Sequence, residues 1–315
     1  MTANGLDEPP LGQVATQPAV AGMTRAQKIW RRTWVGGSLA LATASLLMLA
    51  AKPEYAILVP IAGLLLAVGA LREVRAMGAA GHSMLPDAAL FALPIVLLIS
   101  WSLGDSFWIS GGLSDWERLA PLTTRLAVMV SAGLVIGFVA RYRASYSAPR
   151  IHPLGPMGLY VWIVFPLIGL GWVRFIYGIS GLVALILLSK IGDVAGYYVG
   201  SAIGKRHPFP KLSPGKTVAG CVGSFIVGAI AGVLCQSGGM LPEPRFGWAS
   251  GLLLGAAINL ASQAGDLLES LLKRRGGVKD SGVLFGPSGG VLDVVDSLLL
   301  SVPVAIVVFP LTYVL

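Results

Sequence analysis

Long apolar stretches recur along this 315-residue chain and constrain its fold more than any other feature. Only 12% of the residues are charged, against about 25% in a typical soluble domain, and the mean hydropathy is +0.77. A soluble fold could not cover its surface with so few charges. A hydrophobic content of 55% also excludes a disordered chain. The composition therefore predicts an all-α polytopic integral membrane protein, whose partner is the lipid bilayer.

A membrane-spanning helix needs about 20 predominantly apolar residues, and the chain contains about nine segments of this kind. The predicted transmembrane helices are 34–51, 55–71, 88–102, 119–140, 155–172, 176–203, 217–235, 247–272 and 291–313. Residues 1–33 are interpreted as a disordered cytoplasmic tail. Residues 34–172 then form an N-terminal membrane region of five spans, and residues 173–315 form a catalytic region of four spans with basic cytoplasmic loops.

The positions of Lys and Arg orient these spans, because both residues favour the cytoplasmic side of a membrane. With a cytoplasmic N-terminus, most of the 23 Lys and Arg residues fall in inner segments. The outer segments hold Lys52, Arg118, Arg174 and Arg245. This asymmetry predicts a cytoplasmic N-terminus and an external C-terminus in the cell (inner) membrane. It also explains the net charge of +8 without a nucleic-acid partner.

Ionisable residues inside the predicted membrane segments concentrate in the C-terminal region. Each costs about 2.5–3.5 kcal/mol on insertion scales and marks a functional site by default. They are Lys190, Asp193, Asp266, Glu269, Asp293 and Asp296. Glycine ridges run beside two of these groups, at 192–204 and at 247–255, and are interpreted as surfaces for close helix packing.

Four of the carboxylates, together with Asp280 in a loop, are predicted to converge on the cytoplasmic surface. Carboxylates packed together would repel one another, and a divalent cation relieves that repulsion. Ligand sets made only of oxygen suit Mg²⁺. A basic rim surrounds them, formed by Lys205, Arg206, Lys211, Lys216, Lys273, Arg274 and Lys279. Metal-binding carboxylates within a basic rim indicate a site for nucleotide or phospholipid phosphate groups.

The run from Ser270 to Asp296 resembles the signature of the phosphatidate cytidylyltransferase (CDP-diacylglycerol synthase) family. That signature reads Ser-x-x-Lys-Arg, four residues, Lys-Asp, then His-Gly-Gly-x-x-Asp-Arg-x-Asp, and its spacing is kept here without a gap. The stretches 193–200 and 213–217 are similar to the family's Asp-x-x-Ala-Tyr-x-x-Gly and Ser-Pro-x-Lys-Thr. The departures are Ser288 for His, Val294 for Arg and Ala219 for Glu.

The resemblance implies transfer of a cytidylyl group from CTP to phosphatidic acid, giving CDP-diacylglycerol and pyrophosphate, with the active site facing the cytoplasm. It implies Mg²⁺, or another divalent cation, on Asp266, Asp293 and Asp296. The implied catalytic residues are Asp266, Lys279, Asp280, Asp293 and Asp296. The implied substrate-binding residues are Asp193, Tyr197, Ser213, Lys216, Thr217, Ser270, Lys273, Arg274, Ser288, Gly289 and Gly290. Association into a homodimer stays open.

Two other classes of function also stay open. A secondary transporter combines glycine-broken helices with membrane carboxylates, but it would show repeated halves, and here the charge is confined to one half. A different CTP-dependent lipid phosphotransferase or an inactive relative would keep the same fold around an altered site. The departures at Ser288 and Val294 favour this second class, whereas the retention of every metal-type carboxylate favours an active enzyme.

The charge asymmetry predicts the location of reporters fused to the chain. A reporter after Arg150 or Lys279 is expected to be cytoplasmic, and one at Asp115 or after Leu315 is expected to be external, because basic loops stay inside. Paired enzymatic reporters, each active on one side only, measure this. A cytoplasmic reporter after Leu315 would mean that the number of spans is wrong by one.

Overall fold

The computed structural model describes residues 25–77, 155–286 and 289–313, which form helices joined by loops. A short 3-10 helix at Pro53–Tyr55 precedes the second long helix. The α-helices, in chain order, are α1 (Arg25–Ala50), α2 (Leu58–Ala76), α3 (Gly155–Ile203), α4 (Val218–Ser237), α5 (Trp248–Arg275), α6 (Val291–Val295) and α7 (Leu298–Thr312).

Five segments of the described part are long and apolar enough to cross a membrane. They are Pro53–Ala76, Val161–Ile203, Val218–Ser237, Trp248–Arg275 and Val291–Thr312, and Trp34–Ala50 is a shorter apolar helix. The all-helical prediction is thus confirmed for the described residues, and the segments are consistent with a polytopic membrane protein. The spans predicted at 88–102 and 119–140 lie outside the described residues. The number of nine spans and their orientation therefore stay predictions.

The predicted span 291–313 agrees with the apolar segment Val291–Thr312, and the structure adds local detail here and at the start of α1. The helix α1 begins at Arg25, so residues 25–33 of the predicted disordered tail are helical. The predicted span 291–313 is divided into α6 and α7 by a turn at Asp296 and Ser297. The cause is local, because the Ser297 N–H donates to the Asp296 carboxylate at 2.6 Å. A side chain thereby captures a donor that a continuous helix would use.

The long helix α3 contains a chain reversal at Gly178, whose φ of 69° and ψ of −175° are not helical. A continuous helix rises about 1.5 Å per residue, which would put Gly169 and Lys190 about 31 Å apart. Gly169 nevertheless packs on Val302, and Lys190 reaches Val294. Val294 and Val302 belong to α6 and α7, where their separation along the chain corresponds to only about 12 Å. The break at Gly178 thus agrees with the prediction of two spans at 155–172 and 176–203.

Bare glycine surfaces allow α3, α4 and α5 to pack with their backbones in contact. A methyl group on Gly255 would overlap the Gly228 carbonyl, and one on Gly232 would overlap the Gly251 carbonyl. Between α3 and α4, a methyl group on Gly196 would lie 3.2 Å from the Gly220 carbonyl oxygen. Small residues at these positions let the helices approach closely, as the glycine ridges predict.

The two ends of the bundle differ in chemistry. At one end, Arg174 donates to the Ala50 carbonyl at 2.9 and 3.0 Å, and Arg245 donates to the Tyr313 carbonyl at 2.8 Å. The carboxylates of α5 and α6 lie at the other end of the 28-residue helix α5. This separation is consistent with the sequence analysis, which assigns both arginines to the external side.

The contact between α4 and α5 predicts a selective effect of single methyl groups. Gly255→Ala is expected to lower the free energy of unfolding by about 1–3 kcal/mol, because overpacked backbone cannot yield easily. Gly37→Ala is the matched control, since nothing lies within 4 Å of its added methyl group. Unfolding of the purified variants in detergent measures both. Equal stability of the two variants would contradict the close backbone packing.

Candidate active site

The site lies where helix ends and two loops meet at one end of the bundle. The loop 204–217 joins α3 to α4, and the loop 276–290 joins α5 to α6. The helix α4 begins after Thr217 because the Thr217 hydroxyl accepts the Gly220 N–H at 3.0 Å. This cap fixes Lys216 immediately before the helix, where its side chain reaches α5.

An acidic cluster, defined as Asp266, Glu269 and Asp296, lies at the centre of the site. One carboxylate oxygen of each residue lies within 4.8 Å of the others. Asp266 and Glu269 are one helical turn apart on α5, and Asp296 comes from the turn after α6. Glu269 is fully buried, and its Oε1 accepts no hydrogen bond from the described residues. This arrangement is suited to a cation with oxygen ligands.

Lysine side chains form ion pairs with the carboxylates of the site. Lys216 lies 2.6 Å from Asp266, between α4 and α5. Lys273 lies 2.6 Å from both Glu269 and Asp293. From α3, Lys190 donates to the Val294 carbonyl at 2.8 Å and lies 3.4 Å from Asp296. The repulsion anticipated from the sequence is thus relieved within the chain itself.

Asp293 lies beside the acidic cluster but faces the loop 276–290. Its Oδ2 accepts the N–H and hydroxyl of Ser281 at 2.8 and 2.7 Å and the Gly290 N–H at 2.7 Å. Its Oδ1 accepts from Lys273. The sequence analysis grouped Asp293 with Asp266 and Asp296 as metal ligands, whereas the three carboxylates that lie within 4.8 Å of one another are those of Asp266, Glu269 and Asp296. The sequence signal for Glu269 was its spacing of three residues from Asp266, which puts both side chains on one face of a helix.

A second acidic residue, Glu73 of α2, reaches the same loop and is absent from the sequence predictions. Its Oε1 accepts the Val291 N–H at 2.7 Å, and its Oε2 accepts the Leu292 N–H at 2.9 Å and the Ser281 hydroxyl at 2.7 Å. A methyl group on Gly290 would overlap this carboxylate. The sequence offered only a weak signal, since Glu73 stands between two arginines at a helix end, as a solvated residue would.

A cleft of about 230 Å³ opens between α3, α4 and α5, next to the acidic cluster. It is lined by Gly192, Asp193, Gly196, Tyr197, Gly215, Lys216, Thr217, Gly220, Cys221, Ser224, Gln263 and Asp266. Four of the predicted substrate-binding residues therefore share one cavity with a predicted catalytic carboxylate. The glycines in its walls leave the space that side chains would fill.

The remaining predicted residues lie around this centre. Arg274 donates to the carbonyls of Leu212 and Val278 at 3.3 and 3.1 Å, and so connects the two loops. Ser270 is buried on α5, and Ser213 lies in the loop before α4. Lys279 and Asp280 are exposed in the loop after α5. Gly289 has a φ of 84°, and a methyl group there would overlap Asp293. Ser288 lies outside the described residues.

Ionisable residues within an apolar helical bundle mark a functional site by default, and lysines beside a cleft can bind anionic groups such as phosphate. The cytidylyltransferase family matches residues 30–312. The chain belongs to this family, as the resemblance in the sequence implied. Membership favours the transferase interpretation over a transporter.

Several relatives match smaller parts of the chain. It is 35% identical over 127 residues to phosphatidate cytidylyltransferase of Bacillus subtilis, covering 40% of this chain and 46% of that protein. It is 32% identical over 231 residues to phosphatidate cytidylyltransferase of Chlamydia pneumoniae, covering 71% and 65%. It is 40% identical over 120 residues to the uncharacterized protein YnbB of Escherichia coli, covering 38% and 39%. The matches thus span from 39% to 65% of these relatives' lengths.

The two ion pairs of Lys273 predict a large effect on stability. Lys273→Met is expected to lower the free energy of unfolding by about 3–5 kcal/mol, because it leaves buried carboxylates without a counterion. Adding Glu269→Gln to this variant removes one stranded charge and is expected to restore part of the loss. Unfolding in detergent measures both, with the exposed Lys211 changed to Met as the control. A loss as small as that of Lys211→Met would contradict the buried ion pairs.

Proposed function

We propose that this chain transfers the cytidylyl group of CTP to phosphatidic acid, giving CDP-diacylglycerol and pyrophosphate. One observation carries the proposal: a cleft that holds Lys216 and Asp266 opens beside the acidic cluster in a chain of the cytidylyltransferase family. The names of the Bacillus and Chlamydia relatives support phosphatidic acid as the acceptor.

In this proposal, the cleft binds the nucleotide and lysines bind its phosphates. Lys216 lines the cleft and pairs with Asp266. An ammonium group has three donors, so Lys216 keeps donors for a phosphate oxygen while it is paired. Asp193 and Tyr197 line the same cavity from α3 and would contact the nucleotide. The exposed Arg274 and Lys279 would add positive charge at the entrance for the lipid headgroup, whereas Lys273, predicted from the sequence to bind substrate, is paired with Glu269 and Asp293.

The acidic cluster would hold a divalent cation such as Mg²⁺. Its donors are all carboxylate oxygens, and the buried Glu269 Oε1 has no hydrogen-bond donor among the described residues. A bound cation would neutralise charge on the triphosphate and on the departing pyrophosphate. Asp293 is assigned a different task here. It holds the loop 276–290 and the Lys273 ammonium group in place.

The chemistry requires little proton transfer. An oxygen of the phosphatidic acid phosphate attacks the α-phosphorus of CTP, the bond from that phosphorus to the bridging oxygen breaks, and pyrophosphate leaves. The attacking phosphate is largely ionised near neutral pH, so no general base is needed. The presence of Ser288 at the histidine position of the family signature is therefore compatible with activity.

Lys190 would compensate for the other departure. Val294 stands at the arginine position of the family signature, and the Lys190 ammonium group lies 2.8 Å from the Val294 carbonyl and 3.4 Å from Asp296. A positive charge from α3 would thus lie close to the position at which the family signature has an arginine on α6. The inner membrane, with the site facing the cytoplasm, would bring soluble CTP and the lipid together.

Two labelled forms of CTP test the reaction. With purified protein, Mg²⁺ and phosphatidic acid, label from α-³²P CTP is expected in the extracted lipid, and label from γ-³²P CTP is expected in pyrophosphate. Transfer of γ-label to lipid would instead identify a CTP-dependent lipid kinase. If neither labelled form of CTP transfers label to the lipid, the proposal is contradicted.

The acidic cluster predicts which substitutions abolish transfer. Asp266→Asn and Asp296→Asn are each expected to lower turnover by orders of magnitude, because loss of a cation ligand removes several kcal/mol of transition-state stabilisation. Glu243→Gln is the matched control, since this exposed carboxylate lies in the loop at the opposite end of α5. Steady-state rates with Mg²⁺ measure all three. Near wild-type turnover in both Asn variants would remove the cluster from the mechanism.

A further inference from the structure

The Glu73 carboxylate belongs to the N-terminal half of the chain, yet it is surrounded by the signature loop of the C-terminal half. It accepts hydrogen bonds from the Val291 and Leu292 N–H groups and from the Ser281 hydroxyl, all between 2.7 and 2.9 Å. We propose that Glu73 is a positioning residue, which fixes the loop 276–290 and the start of α6 and thereby sets the positions of Asp293 and Asp296.

The first argument concerns the start of α6. The initial N–H groups of any helix lack partners within that helix, and α6 has only five residues. Its residues Val291 and Leu292 find their acceptor on α2, more than 200 positions earlier in the chain. A negative group is also favourable at a helix N-terminus. The start of α6 is thus fixed from two sides: Asp293 of α6 itself accepts the Gly290 N–H, and a side chain of another helix accepts the next two N–H groups.

The second argument concerns the loop before α6. The Ser281 hydroxyl lies 2.7 Å from both Glu73 Oε2 and Asp293 Oδ2, so its single proton can be donated to either carboxylate and the serine bridges the two. A methyl group on Gly282 would lie 2.7 Å from Glu73 Oε1, and one on Gly290 would overlap the same carboxylate. The loop therefore closes around Glu73 with bare backbone on two sides.

These contacts connect Glu73 to the acidic cluster in two steps. Through Ser281 it reaches Asp293, which in turn holds Lys273 against Glu269. Through the helix α6 it reaches Asp296. Glu73 has no assigned contact with a substrate in the proposed reaction. Its effect is expected to resemble that of groups that orient metal ligands, whose loss typically costs about 10- to 100-fold in metal affinity or activity.

Glu73→Gln tests the inference, because it keeps the size of the side chain and one acceptor oxygen. Its kinetic readout rests on the proposed function. We expect a 10- to 100-fold lower kcat, with KM values for CTP and phosphatidic acid changed by less than about threefold. Mn²⁺ affinity, measured by electron paramagnetic resonance, is expected to fall by a similar factor. Glu54→Gln is the matched control, since this exposed carboxylate precedes the other end of α2.

Hydrogen exchange on the full chain gives a readout that needs neither turnover nor metal. In Glu73→Gln, the amides of 290–292 are expected to exchange at least tenfold faster, while those of α4 are unchanged. A wild type without transfer, combined with this faster exchange, would contradict the proposed function and leave the inference standing. Unchanged exchange at 290–292 would overturn the inference. The inference would also be overturned if kcat in Glu73→Gln fell only in proportion to the loss of folded protein.

A double-mutant cycle gives a second, independent test of the contact between Glu73 and the start of α6. Gly290→Ala places a methyl group against the Glu73 carboxylate, so alone it is expected to lower kcat by at least tenfold. In the Glu73→Ala background, the same change is expected to lower kcat by less than threefold, because the obstructing carboxylate is gone. Equal factors in both backgrounds would show that the effect of Gly290→Ala does not pass through Glu73, which would contradict the close contact between Glu73 and the start of α6 on which the inference rests.

Discussion

The buried ion pairs of Lys273 are the interaction on which the site depends. This ammonium group lies 2.6 Å from both Glu269 and Asp293, and Glu269 is fully buried. Removing such charges from water is costly, and only close opposite charges offset the cost. The pairs also join α5 to the start of α6, two elements that a loop separates. The acidic cluster therefore depends on an ion-paired contact between α5 and α6.

Close helix packing is the second constraint, and it explains where the cleft lies. Glycines in α3, α4 and α5 bring the backbones together, as Gly196 and Gly220 do near the cleft. Few side chains then fill the space between these helices at the site end, and the cavity is lined by glycines together with side chains such as Asp193, Lys216 and Gln263. A membrane offers little hydrophobic drive for helix association, so such packing and polar contacts take its place. Close helix packing and the opening of the cleft thus have the same structural cause.

The proposed reaction uses both halves of the described chain, although the signature lies in one. The C-terminal helices supply the acidic cluster and the lysines, while α2 supplies Glu73 at the start of α6. The family match from residue 30 to residue 312 agrees with a unit that includes α1 and α2. In this interpretation, the N-terminal membrane region has a direct part in shaping the site and is more than an anchor.

The sequence by itself determined the helical membrane class, most helix positions, and the residues Lys216, Asp266 and Asp296 at the site. These follow from local properties: apolar length, charge placement and the spacing of a motif. Only the tertiary structure decided that Glu269 joins the acidic cluster, that Asp293 faces the loop, and that Glu73 holds α6. The physical reason is that each carboxylate forms hydrogen bonds and ion pairs with the donors that the tertiary structure brings next to it. The spacing of Asp266 and Glu269 puts both on one face of α5, but the partners from α2 and α6 come from distant parts of the chain, and no local pattern specifies those contacts.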